Sequence, residues 1–302
     1  MKQLALRDRL ARHAVAEGLT ETPIEGLKLF RVSHPIERLP AVYPASLCVI
    51  AQGQKRAYLG GEAYTYDAEH YLCATMPLPV EAEVPHATPT EPVLGLLLDL
   101  ETREVVETLV AYEAAARPLR AGTADAPPSG LAVIPVDDAF ASAVARLLDL
   151  LEDPVALRVL AGSRLRELLF LLIDGKAGPL VRGTLGGGHE LMRALTYVRE
   201  HLGEPISIDE LARRAGMSRA VFYRRFKAAT CMSPLQFIKA MRLSHAAMQI
   251  VAGRTVSEAA RCVGYRSASQ FSREFRRHFG ASPKQWARRA AVSGPDVQAQ
   301  AA

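Results

Sequence analysis

The chain has 302 residues, 49% hydrophobic and 23% charged, which gives length for two domains with cores of their own and excludes a disordered polyampholyte. Its net charge of +5 is unevenly placed: residues 189–290 hold 19 Lys+Arg against 7 Asp+Glu, so a +12 segment is joined to a remainder of −7, and only that segment suits a polyanion. Four cysteines, Cys48, Cys73, Cys231 and Cys262, form no CxxC pair, which argues against a zinc ribbon or a disulfide scaffold. Residues 1–13 lack the apolar centre of a signal peptide, and no apolar run approaches the roughly 18 residues of a membrane helix, so a cytoplasmic location is expected.

Residues 1–17 read as a short amphipathic helix, with Leu4, Leu6, Leu10 and Val15 among charges, closed by Gly18. From 22 to 100 the texture changes to short apolar runs at 27–32, 46–52, 56–59, 62–66, 71–75 and 93–98. Gly60-Gly61 between two of them is a hairpin signal, and the series predicts a sandwich or barrel. His34, His70 and His86 stand apart with no HxH pair, so no metal, no cofactor and no catalytic set is predicted. Cys48 and Cys73 fall in predicted strands, where a thiol is usually a small buried hydrophobe. Cys48 is the candidate effector contact.

A helix is predicted over 101–116, then a loop rich in Ala, Pro and Gly over 117–130. Two amphipathic helices follow. The first, 137–151, carries Phe140, Val144, Leu147, Leu148 and Leu151 on one face; the second, 154–174, carries Leu165, Leu168, Leu169 and Leu172, with Pro154 at a first-turn position. Residues 175–188 end in Gly186-Gly187-Gly188 and read as an interdomain linker; they lack the Lys-Ser/Thr ending of a phosphate-binding loop.

After a helix over 190–201, one pattern is written twice between 207 and 286. Ser207-Ile208-Asp209-Glu210-Leu211-Ala212 returns 48 residues later as Thr255-Val256-Ser257-Glu258-Ala259-Ala260, and Gly216 returns as Gly264. Beyond the glycines the offset is 49, pairing Ser218 with Ser267, Phe222 with Phe271, Arg224 with Arg273 and Phe226 with Phe275. Ser207 with Glu210, and Thr255 with Glu258, have capping-box spacing, and the glycines suit left-handed helix ends. Each following helix has an apolar side (Phe222 and Phe226; Phe271, Phe275 and Phe279) and a polar, basic side. A short capped helix, a tight turn and a second helix of this kind predict a helix-turn-helix, here duplicated, with a longer helix from Ser233-Pro234 to about Ala252 between the copies.

These residues resemble the DNA-binding domain of the AraC/XylS family of bacterial transcriptional regulators. The resemblance covers 190–289 and is closest in Ala259-Ala260, Val263-Gly264-Tyr265, Ser267, Ser269, Phe271-Ser272-Arg273, Phe275-Arg276, Phe279-Gly280 and Ser282-Pro283. Gln52-Gly53-x-Lys55 and Leu78-Pro79-Val80 are similar to the N-terminal domain of one branch of that family, which implies a cupin-like barrel. The implied organisation is α+β: a regulatory and dimerisation domain over 1–180, a linker over 181–189, a double helix-turn-helix over 190–290 and a disordered tail over 291–302. The resemblance implies base contacts from Ala220, Tyr223 and Arg224 in one major groove and from Ala268, Ser269, Ser272 and Arg273 in the next. Ser218, Arg219, Lys227, Ser267, Arg276 and Arg277 are expected at phosphates. Implied partners are double-stranded DNA, RNA polymerase, a small-molecule effector or redox signal, and a second copy bound through helices 137–174. Two other readings are a cupin-like small-molecule enzyme fused to an interaction module, and an architectural protein that binds DNA by charge alone.

Overall fold

The computed structural model describes residues 2–100, 103–115, 129–186 and 189–293. Helix α1 (Lys2–His13) precedes nine strands: β1 (Gly18–Glu21), β2 (Leu27–Val32), β3 (Ile36–Tyr43), β4 (Ser46–Gln52), β5 (Gln54–Leu59), β6 (Glu62–Asp67), β7 (His70–Ala74), β8 (Leu78–Val84) and β9 (Val93–Asp99). Then come α2 (Arg103–Ala115), β10 (Leu131–Pro135), α3 (Asp138–Asp149), α4 (Pro154–Asp174), α5 (Gly178–Val181) and α6 (His189–Glu200). The strands form one antiparallel sheet in the order β1-β2-β9-β4-β7-β6-β5-β8-β3, with β10 added to β7.

The sheet is curled, and both of its faces carry apolar side chains that are covered. Phe30, Cys48 and Ile50 face an interior, while Leu29, Leu47 and Val49, their neighbours in sequence, face α1, α3 and α4. That two-sided burial is why 46–52 is a continuous apolar run and not an alternating one. By contrast β5 alternates strictly and places Lys55, Ala57 and Leu59 inside. Strand β3 is an edge that carries Glu37, Arg38 and Pro40; an edge tolerates a residue without an N–H donor, and those polar residues hid the strand in the sequence.

Two expectations need correction. Val15 lies beyond the end of α1 and is 73% exposed, so it is no part of an apolar stripe. The leucine faces of α3 and α4 are buried in this chain's own core beneath the sheet, which leaves the outer sides of these helices for any contact with a second copy. The segment taken as a linker is helical from 178 to 186, ending in a π-helical turn, and Leu180, Val181 and Thr184 are buried. The remaining glycines of the supposed linker, 187–188, lie outside the described residues, as does most of the predicted 117–130 loop. Of the predicted tail, 291–293 belong to a helix ending at Ser293, and 294–302 fall outside the described residues.

The C-terminal half adds α7 (Ile208–Arg214), α8 (Arg219–Thr230), α9 (Pro234–Val251), α10 (Val256–Cys262), α11 (Ala268–Phe279) and α12 (Pro283–Ser293). It is docked on the barrel. Helix α9 packs on β3 and β8, and the Gly130 N–H donates to the Ala229 carbonyl at 2.6 Å. Cys231, held at φ 57 just past α8, sits so close to the β5–β6 turn that a Cβ on Gly60 would lie 2.9 Å from its own Cβ.

Candidate nucleic-acid interface

The duplicated pattern folds as duplicated geometry. At the end of α7 the Met217 N–H bonds to the Ala212 carbonyl and the Gly216 N–H to that of Arg213. At the end of α10 Tyr265 and Gly264 make the same two bonds to Ala260 and Arg261. Both glycines take positive φ, 61 and 84. This is a Schellman ending, which turns the chain sharply and lets the next helix start after two residues in the first module and three in the second. Ser218 and Ser267 then cap α8 and α11, accepting from the Val221 and Gln270 amides.

The two first helices do not start alike. Thr255 and Glu258 form the full capping box, at 3.2 Å and 3.0 Å. Ser207 makes no side-chain cap bond, and the Glu210 carboxylate is taken instead by Arg213 and Arg214, three and four residues on. Full boxes that the sequence reading did not single out occur at Ser233–Gln236, opening α9, and at Ser282–Gln285, opening α12.

Aromatic packing fixes which way each second helix faces. Phe222, Phe226, Phe271 and Phe275 are fully buried; Phe226 meets Phe237 edge-on at 5.1 Å, and Phe275 meets Phe279 and Trp286 at 4.7 and 6.0 Å. With that side anchored, the helical period sends Ala220, Tyr223, Arg224 and Lys227 outward from α8, and Ala268, Ser269, Arg273 and Arg276 from α11, all of them exposed. Ser272 lies on the same side and is half-buried. Arg224, Lys227, Arg273 and Arg276 have no hydrogen bond or ion pair to any described residue. The competing partner for Arg273, its neighbour Glu274, is occupied by Lys239 at 2.9 Å and by the Tyr265 hydroxyl at 2.8 Å.

Other expected contacts are placed differently. Arg219 pairs with Asp209 at 3.2 Å, both exposed. Arg277 turns away from this face into a cleft of about 320 Å³ that it lines with Gly60, Cys231 and His278, against the barrel. Arg266, exposed beside the Ser267 cap and without a described partner, was overlooked. It is the residue by which the second turn exceeds the first, so the repeat itself held the signal.

The modules are locked together. The Arg242 guanidinium on α9 donates to the Glu204 carbonyl. A Cβ at Gly264 would sit 2.9 Å from the Gly203 carbonyl oxygen, so this position needs glycine for its φ and for the close approach of the other module's backbone. Helix α9 has 18 residues and so spans about 27 Å at 1.5 Å per residue.

In the barrel, Cys48 is 4% exposed and shares the interior with Lys55, Tyr43 and Tyr66. Burial pushes the Cys48 thiol up, and the Cys73 thiol to about 12, so neither is a ready thiolate. His34, His70 and His86 are not gathered, and no group of three metal-ligating side chains occurs among the described residues.

Residues 23–180 match the family described as AraC-type transcriptional regulator N-terminus, and residues 211–289 match a helix-turn-helix domain family. The chain is 32% identical over 132 residues to the MmsAB operon regulatory protein of Pseudomonas aeruginosa, covering 43% of this chain and 41% of that one. It is 31% identical over 96 residues to the regulatory protein SoxS of Escherichia coli, covering 32% of this chain and 90% of SoxS. It thus spans less than half the length of the Pseudomonas relative and nearly all of SoxS. Among solved structures, fatty-acid-bound ToxT of Vibrio cholerae superposes with a TM-score of 0.52 at 10% identity, over 86% of this chain and 94% of ToxT, a likeness of fold.

Proposed function

Because this chain belongs to the AraC family of transcriptional regulators, we propose that it binds one asymmetric operator by laying α8 and α11 into successive major grooves on one face of the duplex. A single observation supports this reading. Two helices of matched construction are fixed relative to each other, and Arg224 and Arg273, at equivalent positions, are exposed with no partner among the described residues. Guanidinium groups in that state match guanine O6 and N7, the most specific contact in the groove. Lys227, Arg276 and Arg266 meet phosphates, which sets register and makes affinity fall steeply with salt. Arg219 reaches a phosphate only by leaving Asp209, a cheap exchange for an exposed pair.

The barrel receives the signal, and the protein acts by binding DNA, effector and RNA polymerase, without catalysis. Dimerisation uses a different surface from the leucine faces. Val155, Val159 and Phe170 lie on the outer side of α4, with Val106 and Val110 exposed on the adjoining α2, and together they form an exposed apolar face among the described residues. No described helix is long and apolar enough to cross a membrane, in keeping with a cytoplasmic regulator.

Guanine methylation interference on a bound operator tests the groove reading. Two patches of interfering guanines about one turn apart are expected, one lost in Arg224→Ala and the other in Arg273→Ala. One patch, or two that respond to the same variant, refutes it.

A further inference from the structure

Helix α9 serves two cores along its length. Phe237, Ile238 and Met241, in its first half, belong to the core of Phe222 and Phe226 in the first module. Leu243, Ala246, Ala247 and Ile250, farther along, belong to that of Phe271 and Phe275 in the second. The apolar core beneath α11 thus draws on the far half of α9. One polar contact reaches back across that division: Lys239, between Ile238 and Met241, extends its amine to the Glu274 carboxylate on α11 at 2.9 Å.

The same carboxylate accepts from the Tyr265 hydroxyl, in the turn before α11, at 2.8 Å and from the Gln270 amide, one helical turn earlier, at 3.3 Å. Burial works to raise the Glu274 carboxyl, but the bonds from Lys239, Tyr265 and Gln270 outweigh it and hold the group below its ordinary value, so it is ionised at neutral pH. The first module carries an equivalent pair with the charges exchanged. Arg225 of α8 stands 49 residues before Glu274 (274 − 225), Glu190 of α6 stands 49 before Lys239 (239 − 190), and the two approach to 3.7 Å. That pair ties α8 to a helix of its own module. The Lys239 pair instead joins α11 to the half of α9 that is embedded in the other module.

We propose that Glu274 is a positioning residue: held by Lys239, it sets the place and roll of α11 relative to α8, and with them the half-site separation that the protein accepts. This role rests on the reading in which α8 and α11 enter successive grooves. Phe271 and Phe275 anchor one side of α11, and Glu274 anchors the flank between that side and the outward face, so it acts through Arg273 and its neighbours and needs no contact with DNA of its own. A base pair added or removed between the half-sites moves one of them by about 3.4 Å and roughly a tenth of a turn. Helix α11 follows only by leaving Lys239, so the pair adds its own worth, about two- to fivefold in affinity, to the penalty on a misspaced operator.

The test uses the full-length chain and the operator it selects from random duplexes, with versions one base pair longer and shorter between the halves. The quantity read is the ratio of affinities for native-spaced and misspaced duplexes at one salt concentration, in which a uniform effect of charge cancels. Glu274→Ala and Lys239→Met change the charge of the domain in opposite senses, yet both should lower this ratio by about two- to fivefold. The double variant Lys239→Glu/Glu274→Lys, which has the charge order of the first module, should restore it, and Arg225→Ala should leave it as in the parent. Trp286 fluorescence and a thermal melt check that each variant is folded; Lys239→Met keeps the aliphatic stem and so preserves packing. Single variants that match the parent's ratio, or that move it in opposite directions, overturn the proposal, as does an exchanged pair that fails to restore it. A parent indifferent to spacing refutes the two-groove reading and the proposal together, whereas a parent that discriminates while its variants do so equally refutes the positioning role alone.

Discussion

Replacing Arg273 by alanine separates base reading from charge. The side chain is exposed and bonded to none of the described residues, so its removal should leave folding stability within about 0.5 kcal/mol. If it holds a guanine by two hydrogen bonds, the cognate operator loses about 1–3 kcal/mol, or roughly 5- to 150-fold in affinity. Random DNA loses one phosphate-neutralising charge, which lowers the slope of log affinity against log salt by about one and leaves a far smaller deficit. Arg224→Ala should behave alike in the other module, and because the two contacts are separate the losses multiply in the double variant. The assay is a competition titration of labelled operator against random duplex at one salt concentration, for the parent and both variants. An equal loss on the two duplexes refutes the reasoning and makes these arginines backbone contacts.

Thr255→Ala should cost about 1 kcal/mol through loss of the cap, while Ser207→Ala, which removes no cap bond, should cost almost nothing; urea denaturation compares them. The Thr255 hydroxyl bonds the Glu258 carboxylate and holds it below its ordinary value, so this stabilisation is present above that value and fades as pH falls through the depressed one. The difference between Thr255→Ala and the parent should therefore shrink in acid. Phe275→Ala opens a cavity beside Phe271, Phe279 and Trp286 and should destabilise the second module by about 3–5 kcal/mol. Trp286 is the single tryptophan, so its fluorescence reports that loss directly. Phe170→Glu, on an exposed face, should leave the fold intact and turn a dimer into a monomer in light scattering; an unchanged mass would remove the α4 face from consideration.

The duplicated helices were legible in advance because their signals are local: hydroxyl caps, glycine endings and rings four residues apart each act within one or two turns. The same locality explains the failure at Ser207. Its spacing to Glu210 equals that of Thr255 to Glu258, but Glu210 has arginines three and four residues on, where Glu258 has Arg261 and then Cys262. Strand β3 was missed because Glu37, Arg38 and Pro40 suit an edge, and edge status is fixed by strand order, which no short window contains. Lys55 is the instructive case. It keeps step with Ala57 and Leu59 at two-residue spacing, so the alternation already placed it inside; its charge argued for outside, and only the curl of the sheet shows which prevailed. The docking of Cys231 on Gly60 joins residues far apart in sequence and left no local trace.

The most direct test is selection of bound duplexes from random DNA by the intact chain. Two matched surfaces locked at a fixed separation should return a bipartite, asymmetric site whose halves are centred about one helical turn, 10 to 10.5 base pairs, apart, with a conserved guanine in each half. Recovery of one short motif, of halves at variable spacing, or of no sequence preference would contradict the account.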